Sequence, residues 1–407
     1  MWNVSRSVSA PPGVWILVLV GLLTTALSGC VRRVDPGDPL PGLKRSERVR
    51  FERGREVFER EFKAETGLGP LFNSTSCSEC HEEPASGGFG DEIEVHATAF
   101  LAHSTGEKPP NGAGKQDSCD LLLDQGGPVV QQQVTPALRE AFGIAEEPVP
   151  PRATATGRRT TPSILGFGLL DAVTDEAILA LADPEDRDRD GVSGRPNRFP
   201  DGRLGRFGRK ALVPTLREFN GGAFLFEQGI TSPVQPAEDS IGGRPVPAGV
   251  DPVPEPELSQ EDLDLANDFV RLLAPPSRGT IGPEARRGEL IFTKIGCASC
   301  HVPRLKTGRN EIRALRHKKV AAYTDLLLHD MGPDLADICF GLATPPEFRT
   351  EPLMGLRLRS HFLHDGRAAT IEESVRLHGG EATGARERFE TLPESKRRAL
   401  LEFLKSL

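Results

Sequence analysis

The sequence predicts a mainly α-helical protein in two similar halves with long ordered loops, and three observations carry that prediction. Cys77-Ser78-Glu79-Cys80-His81 and Cys297-Ala298-Ser299-Cys300-His301 repeat one pattern, Cys-x-x-Cys-His. Each follows a segment of one form, Arg53-Gly54-Arg55-Glu56-Val57-Phe58 in the first half and Arg287-Gly288-Glu289-Leu290-Ile291-Phe292 in the second. Each half then closes on an apolar helical face. Leu263, Leu265, Phe269, Val270 and Leu273 form one, and Leu400, Leu401, Phe403, Leu404 and Leu407 form the other.

Two thiols three residues apart with a histidine directly after them suit covalent haem attachment. The thiols form thioethers with the two vinyl groups, and the imidazole turns under the porphyrin as proximal ligand. A zinc site needs four ligands, and neither cluster has a second Cys or His pair at the usual spacing; a thioredoxin-like redox pair is the other alternative. The expected fold is therefore two cytochrome c-like haem domains. In such a domain the glycine of the preceding helix lets a second helix cross closely, and the phenylalanine packs near the haem edge. The 43 glycines and 35 prolines, spread without a period, fit loops wrapped around a macrocycle whose bulk replaces part of the core.

Along the chain, the apolar run Val14 to Ala26 is shorter than the roughly 20 residues of a membrane span and ends in Leu27-Ser28-Gly29-Cys30. Residues 1–29 read as a lipoprotein signal with lipid on Cys30, and 30–47 as a tether; an ordinary signal peptide with a chance cysteine is the alternative. Val31, where aspartate would mark inner-membrane retention, points to an outer-membrane anchor facing the periplasm. The first haem domain, with insertions, is expected over 48–274 and the second over 283–407, parted at Pro275-Pro276-Ser277-Arg278-Gly279. Arg159 to Gly166 and Arg349 to Gly355 form a third repeated element. Cys119 and Cys339 are left over in an oxidising compartment, as a disulfide or as two unrelated thiols. A formal charge of −8 with no basic tract at either end argues against nucleic acid.

Several stretches carry chemistry with a bland alternative beside it. Asp186, Asp188 and Asp190 alternate ahead of Gly191, as in a calcium loop, but Asn197 stands where an EF-hand has its last acid, and a solvated acidic turn is the other reading. Arg304, Lys306, Arg309, Arg313, Arg316, Lys318 and Lys319 crowd the stretch after the second motif, either a solvated loop or a surface steering an acidic redox partner. Both tryptophans, Trp2 and Trp15, fall in the signal segment, which leaves Tyr323 as the one readily oxidised ring, a relay or a packed phenol.

Together with the two haem motifs, three longer stretches carry a family resemblance. They are Gly67-Leu68-Gly69-Pro70-Leu71-Phe72-Asn73, the run from Thr324 through His329-Asp330-Met331 to Pro333, and Phe362-Leu363-His364-Asp365-Gly366-Arg367. Over residues 48 to 407 the chain resembles the di-haem oxidoreductase family, a branch of the bacterial di-haem cytochrome c peroxidases and of the related enzyme that matures a tryptophylquinone cofactor. The resemblance implies a peroxidase-like oxidoreductase. Its C-terminal haem, six-coordinate between His301 and His378, which stands where the related peroxidases typically carry methionine, would relay electrons to an N-terminal reactive haem on His81; a surface histidine at a helix end is the alternative for His378. It implies His96 or His103 as a removable distal ligand, with an open iron the alternative, and a distal-pocket acid near Asp171 and Glu176, for which helix N-terminal acids are the alternative. It also implies an interdomain calcium and a periplasmic donor: a small cytochrome, a cupredoxin or a quinol-linked carrier. The related enzymes keep a tryptophan between their haems, and none stands here. An electron carrier with both irons closed, or a redox partner in iron acquisition, are the alternative functions.

Overall fold

The computed structural model describes residues 1–2, 33–102 and 118–407. The segment read as signal and lipobox, with Cys30, and His103 lie outside the described residues. Val34–Leu407 form one unit. Its helices before the proline pair are α1 (Arg45–Phe58), α2 (Cys77–Cys80), α3 (Pro136–Phe142), α4 (Phe167–Asp171), α5 (Asp175–Leu179), α6 (Leu216–Gln228) and α7 (Gln260–Leu272). After it come α8 (Pro283–Lys294), α9 (Ile371–Arg376), α10 (Thr383–Glu390) and α11 (Glu394–Leu404). Local chemistry sets these bounds. Ser259 caps α7 by accepting from the Asp262 amide, Thr215 caps α6 in the same way, and Gly229 ends α6 at a φ of 64°.

Two crossings repeat each other. On α1, a Cβ added at Gly54 would lie 2.1 Å from the Leu265 carbonyl oxygen of α7; on α8, one added at Gly288 would lie 2.0 Å from that of Ala399 on α11. Only glycine permits either approach. Around the first crossing Phe58 packs on Phe269 at 4.9 Å and on His81 at 6.0 Å between ring centres. Around the second, Phe292 packs on Phe403 at 5.3 Å and on His301 at 6.4 Å. The third repeat behaves likewise. Gly166 (φ 85°) meets Pro275 and Gly355 (φ 75°) meets Pro276, so the twin prolines each receive one copy of the repeated segment.

The strands are β1 (Leu71–Phe72), β2 (Ile93–Leu101), β3 (Ser118–Asp120), β4 (Val129–Val130), β5 (Gln133–Val134), β6 (Ala155–Thr160), β7 (Leu305–Lys306), β8 (Lys319–Val320), β9 (Leu328–Asp330) and β10 (Glu347–Arg349). Strands β3, β2 and β4 lie in that order in one antiparallel sheet, and β6 also pairs with β2, setting Ile93 opposite Thr160 and His96 opposite Gly157. This sheet adds strands to the first half that the mainly helical expectation did not name. Its strands are half-buried and carry Glu94, His96 and Arg158 between apolar residues, so no apolar run marks them in the sequence.

The main core mixes both halves: Phe51, Phe58, Phe269 and Leu273 pack in one cluster with Leu305, Leu315, Leu326 and Leu327. The second cluster surrounds the crossing of α8 and α11. The stretch 275–279 is bonded on both sides: Ser277 Oγ donates to the Val34 carbonyl at 3.0 Å, and the Gly279 amide donates to the Ser406 carbonyl at 2.9 Å. No helix among the described residues is long and apolar enough to cross a membrane.

Candidate functional site

The second Cys-x-x-Cys-His motif opens onto a cavity of about 620 Å³, whose walls include Cys297, Cys300, His301, Leu353, Phe362 and His378. The two histidines are prepared alike. His301 Nδ1–H donates to the Tyr323 carbonyl at 2.9 Å, and His378 Nδ1–H donates to the Ser374 carbonyl at 2.6 Å. Each bond fixes the tautomer that leaves Nε2 its lone pair, the form a metal-binding histidine takes. Burial holds both neutral, lowering His301 to about 4 and His378 below its usual value.

Three guanidinium groups share the single Glu351 carboxylate beside this cavity: Arg209 at 3.2 Å, Arg349 at 2.7 Å and Arg359 at 2.8 Å. Their charges draw the Glu351 carboxyl down to about 2 against its burial. Even so, Arg209 Nε, Arg349 Nη1, Arg359 Nε and Thr350 Oγ have no partner although buried. Unsatisfied donors and excess positive charge are costly in a dry site, so the arrangement fits an anionic group. Haem would meet each demand of this site: its propionates would suit the arginines, its iron the His301 and His378 imidazoles, and its apolar ring the lining. The residues present therefore fit the group that the motif implies.

The first motif forms α2, capped by Ser76, whose hydroxyl accepts from the Glu79 amide at 3.2 Å. His81 Nδ1–H donates to the Gly88 carbonyl at 3.1 Å, and burial again keeps the ring neutral. Two carboxyl groups attend this centre with opposite protonation. Glu94, on β2, accepts from His96 Nε2 at 3.2 Å; burial works against its charge, but His96, with His81 and Arg209 behind it, holds the carboxyl below its ordinary value. Glu227, at the end of α6, is raised well above the carboxylate range by burial and then by the repulsion of Glu94, and its Oε2 accepts from Asn73 at 2.9 Å. Its field also reaches Cys77 and Cys80. Burial and neighbours thus push these two carboxyls in opposite directions.

A short stretch of backbone joins the two centres. The Gly87 amide donates to the His81 carbonyl at 3.0 Å, and the Ile164 amide to the Gly87 carbonyl at 3.0 Å. Four residues back, the Thr160 amide donates to the His364 carbonyl at 3.0 Å, and Arg209 Nη2 donates to the Thr160 carbonyl at 3.0 Å. His364 and Arg209 both line the second cavity. His364 stacks on Phe348 at 4.4 Å between ring centres, and is held down to about 3 by burial and by Arg159.

Asp171 and Glu176 each have a local structural partner. Asp171 caps α6, its Oδ1 accepting from the Leu216 amide at 3.1 Å while Oδ2 faces Arg271 at 3.5 Å. Glu176 sits exposed in the first turn of α5, lowered by its own backbone amide and by Thr174. Both do the work of helix-terminal acids, while Glu94 and Glu227 are buried on the side of the first motif. His96 meets Glu94 rather than a second imidazole, and its buried Nδ1 has no partner. Asp186, Asp188 and Asp190 do converge, each offering an oxygen within 4.8 Å of the others. Cys119 and Cys339 form a disulfide with their Cα atoms 5.7 Å apart. Missed from the sequence were Glu94, Glu227, Arg209 and the convergent acids Glu238, Asp251, Glu255 and Glu257. Also missed was His329, buried with Nε2 2.8 Å from Asp325 and Nδ1 2.8 Å from Glu381. A signal existed only for His329 and His364, which lie inside the longer motifs.

A model of the family described as "Di-haem oxidoreductase, putative peroxidase" matches residues 150–407. The methylamine utilization protein MauG of Methylorubrum extorquens (strain AM1) is 30% identical over 211 residues, which are 48% of this chain and 52% of that protein. The chain therefore spans about half the length of that relative. Among solved structures, the diheme peroxidase BthA from Burkholderia thailandensis is 14% identical, with a TM-score of 0.38 over 92% of this chain and 89% of that one. A MauG-like protein associated with microbial copper homeostasis is 15% identical, with a TM-score of 0.34 over 92% of each chain.

Proposed function

Because the chain belongs to the di-haem oxidoreductase family, we propose that it is a di-haem c-type enzyme that reduces peroxide at its first centre and draws electrons through its second. An asymmetry carries this reading. Both motif histidines are prepared as ligands, but among the described residues only His301 shares its cavity with another imidazole prepared the same way, His378. A bis-histidine centre is closed to substrate and suits electron relay, with a lower potential than a His/Met pair. When bound at His81, haem would supply the iron at which peroxide accepts two electrons and two protons to give two waters.

The chain's own part at the first centre is proton handling. Glu94, ionised, takes a proton from the incoming peroxide, and Glu227, neutral, returns one to the departing oxygen; two carboxyls with separated affinities divide the tasks in this way. Electrons cross from the second centre along the Thr160–His364 hydrogen bond, since residues 34–407 contain no tryptophan. Thioethers at Cys77, Cys80, Cys297 and Cys300 belong to the same proposal. So does calcium at Asp186, Asp188 and Asp190, where Asp190 accepts from Ser299 of the second motif at 3.4 Å. The exposed cations from Arg304 to Lys319 suit an acidic periplasmic donor, and Cys30 would carry the outer-membrane lipid.

Electron paramagnetic resonance of the ferric and half-reduced protein, with and without peroxide, tests the reading. The expected result is a low-spin second haem that becomes high-spin in His378→Ala, beside a first haem whose signal responds to peroxide. Two low-spin haems indifferent to peroxide in both states would make the protein an electron carrier.

A further inference from the structure

We propose that Tyr323 is a third redox site, giving up one electron to the second centre while its phenol proton passes to Glu289. The proposal rests on the peroxidase reading for its natural oxidant and on geometry for its location. Tyr323 is the only tyrosine in the sequence, and both tryptophans precede Val34, so no other readily oxidised ring belongs to the folded unit. Its backbone carbonyl is the acceptor that orients His301, at 2.9 Å. The Phe292 ring touches both, 6.4 Å from His301 and 6.0 Å from Tyr323 between centres. The residue is therefore joined to the second centre by one hydrogen bond and one shared aromatic contact.

The backbone at Tyr323 has a φ of 51°, a left-handed conformation that a bulky aromatic residue rarely adopts, and strain of this kind gathers at functional positions. It lets one residue aim its carbonyl at His301 and its ring into the core between Phe292 and Phe403. The ring is 2% exposed. Its hydroxyl donates to Glu289 Oε1 at 2.9 Å, and Arg278 Nη1 donates to the phenol oxygen at 3.4 Å. A buried phenol loses an electron readily only when its proton can leave at the same time. Glu289 is half-buried, on the outer side of α8, so the proton has an acceptor that reaches water.

The balance closes. Peroxide takes two electrons and two protons to become two waters: Tyr323 supplies one electron through the second centre, the outside one-electron donor supplies the other by the same route, the two protons come from solvent, and the phenol proton goes to Glu289. What remains is a neutral phenoxyl radical beside a protonated Glu289. A one-electron donor from outside, with the same proton returning, restores both groups. The tyrosine thereby supplies an electron when the donor lags and marks where donor electrons enter.

The test uses the full haem-loaded protein made with ring-deuterated tyrosine, since a single tyrosine makes the label specific to one residue. Samples are frozen after mixing with hydrogen peroxide, and separately after oxidation by a photogenerated ruthenium(III) complex that needs no peroxide chemistry. The expected result is an organic radical signal narrowed by the label and absent in Tyr323→Phe, which keeps the carbonyl and the ring packing. The haem spectra of Tyr323→Phe stay unchanged, and Glu289→Gln forms the radical more slowly. A ruthenium-generated tyrosyl radical without any response to peroxide upholds the site and overturns the peroxidase reading. Oxidised haems with no tyrosyl radical under ruthenium(III), or a radical that persists in Tyr323→Phe, overturn the proposal.

Discussion

Glu94 and Glu227 show how one environment can separate two like groups. Burial disfavours charge on both, but Glu94 has His96 against it while Glu227 has only Asn73 and the repulsion of Glu94. Glu94→Gln keeps the hydrogen bond and removes the base, so kcat/KM for peroxide should fall by roughly 100-fold with haem spectra unchanged, a usual effect of losing one acid–base group. Wild-type turnover in that variant would move the proton-handling role elsewhere. His364 makes a second prediction. Its ordinary value of 6.5 applies in the unfolded chain, and in the fold it drops to about 3. Between those values the unfolded chain binds a proton that the folded chain refuses, so stability is full above pH 6.5 and declines as the pH falls toward 3. Glu351, lowered from 4.5 to about 2, adds a loss in the same direction at lower pH. Urea unfolding between pH 7 and about 4 should show the decline flattened in His364→Asn; an equal slope in both proteins would assign it to other groups.

At the scale of elements, the paired crossings do the work that haem burial requires. Gly54 and Gly288 bring α1 onto α7 and α8 onto α11, and each approach carries a phenylalanine to the motif histidine. A methyl group at position 288 would lie far inside contact distance of the Ala399 carbonyl. Gly288→Ala should therefore destabilise the protein by roughly 1–3 kcal/mol, the usual cost of overpacking, read as a lower denaturant midpoint. A midpoint equal to the parent's would mean that these helices do not meet at that residue. The sheet around β2 has a different role. Its alternation sets Glu94 and His96 on one face, and β6 continues from it into the stretch that ties His81 to His364.

Across the whole molecule, one core and one covalent link unite the halves. The largest cluster holds Phe51 and Phe269 together with Leu315 and Leu327, and the Cys119–Cys339 disulfide spans 220 residues of sequence. Closing so long a loop restricts the unfolded chain, so replacing both cysteines by serine should cost about 2–4 kcal/mol and lower the melting temperature. An unchanged melting temperature would show that the core alone holds the halves together. A shared core also lets the stretch Thr160 to Ile164 hydrogen-bond to His364 on one side and to Gly87, the partner of His81, on the other.

The sequence by itself determined the parts that rest on local patterns. Thiol spacing marked both motifs, the repeated Arg-Gly segments marked the crossing helices, and apolar periodicity marked α7 and α11, because these signals lie within a few residues of one another. The position of His378 shortly after the His364-Asp365-Gly366 motif was also legible, and the structure places it in the cavity of the second motif. Tertiary structure alone decided which acids are buried beside the first motif and which sit at helix ends. Asp171 and Glu176 look no different in sequence from Glu94 and Glu227; only burial and neighbours distant in the chain separate a helix cap from a poised acid. It likewise decided that Arg209, Arg349 and Arg359 gather around Glu351, that Cys119 reaches Cys339, and that Thr160 meets His364. Such contacts depend on where the chain returns in space, which no local pattern of side chains encodes.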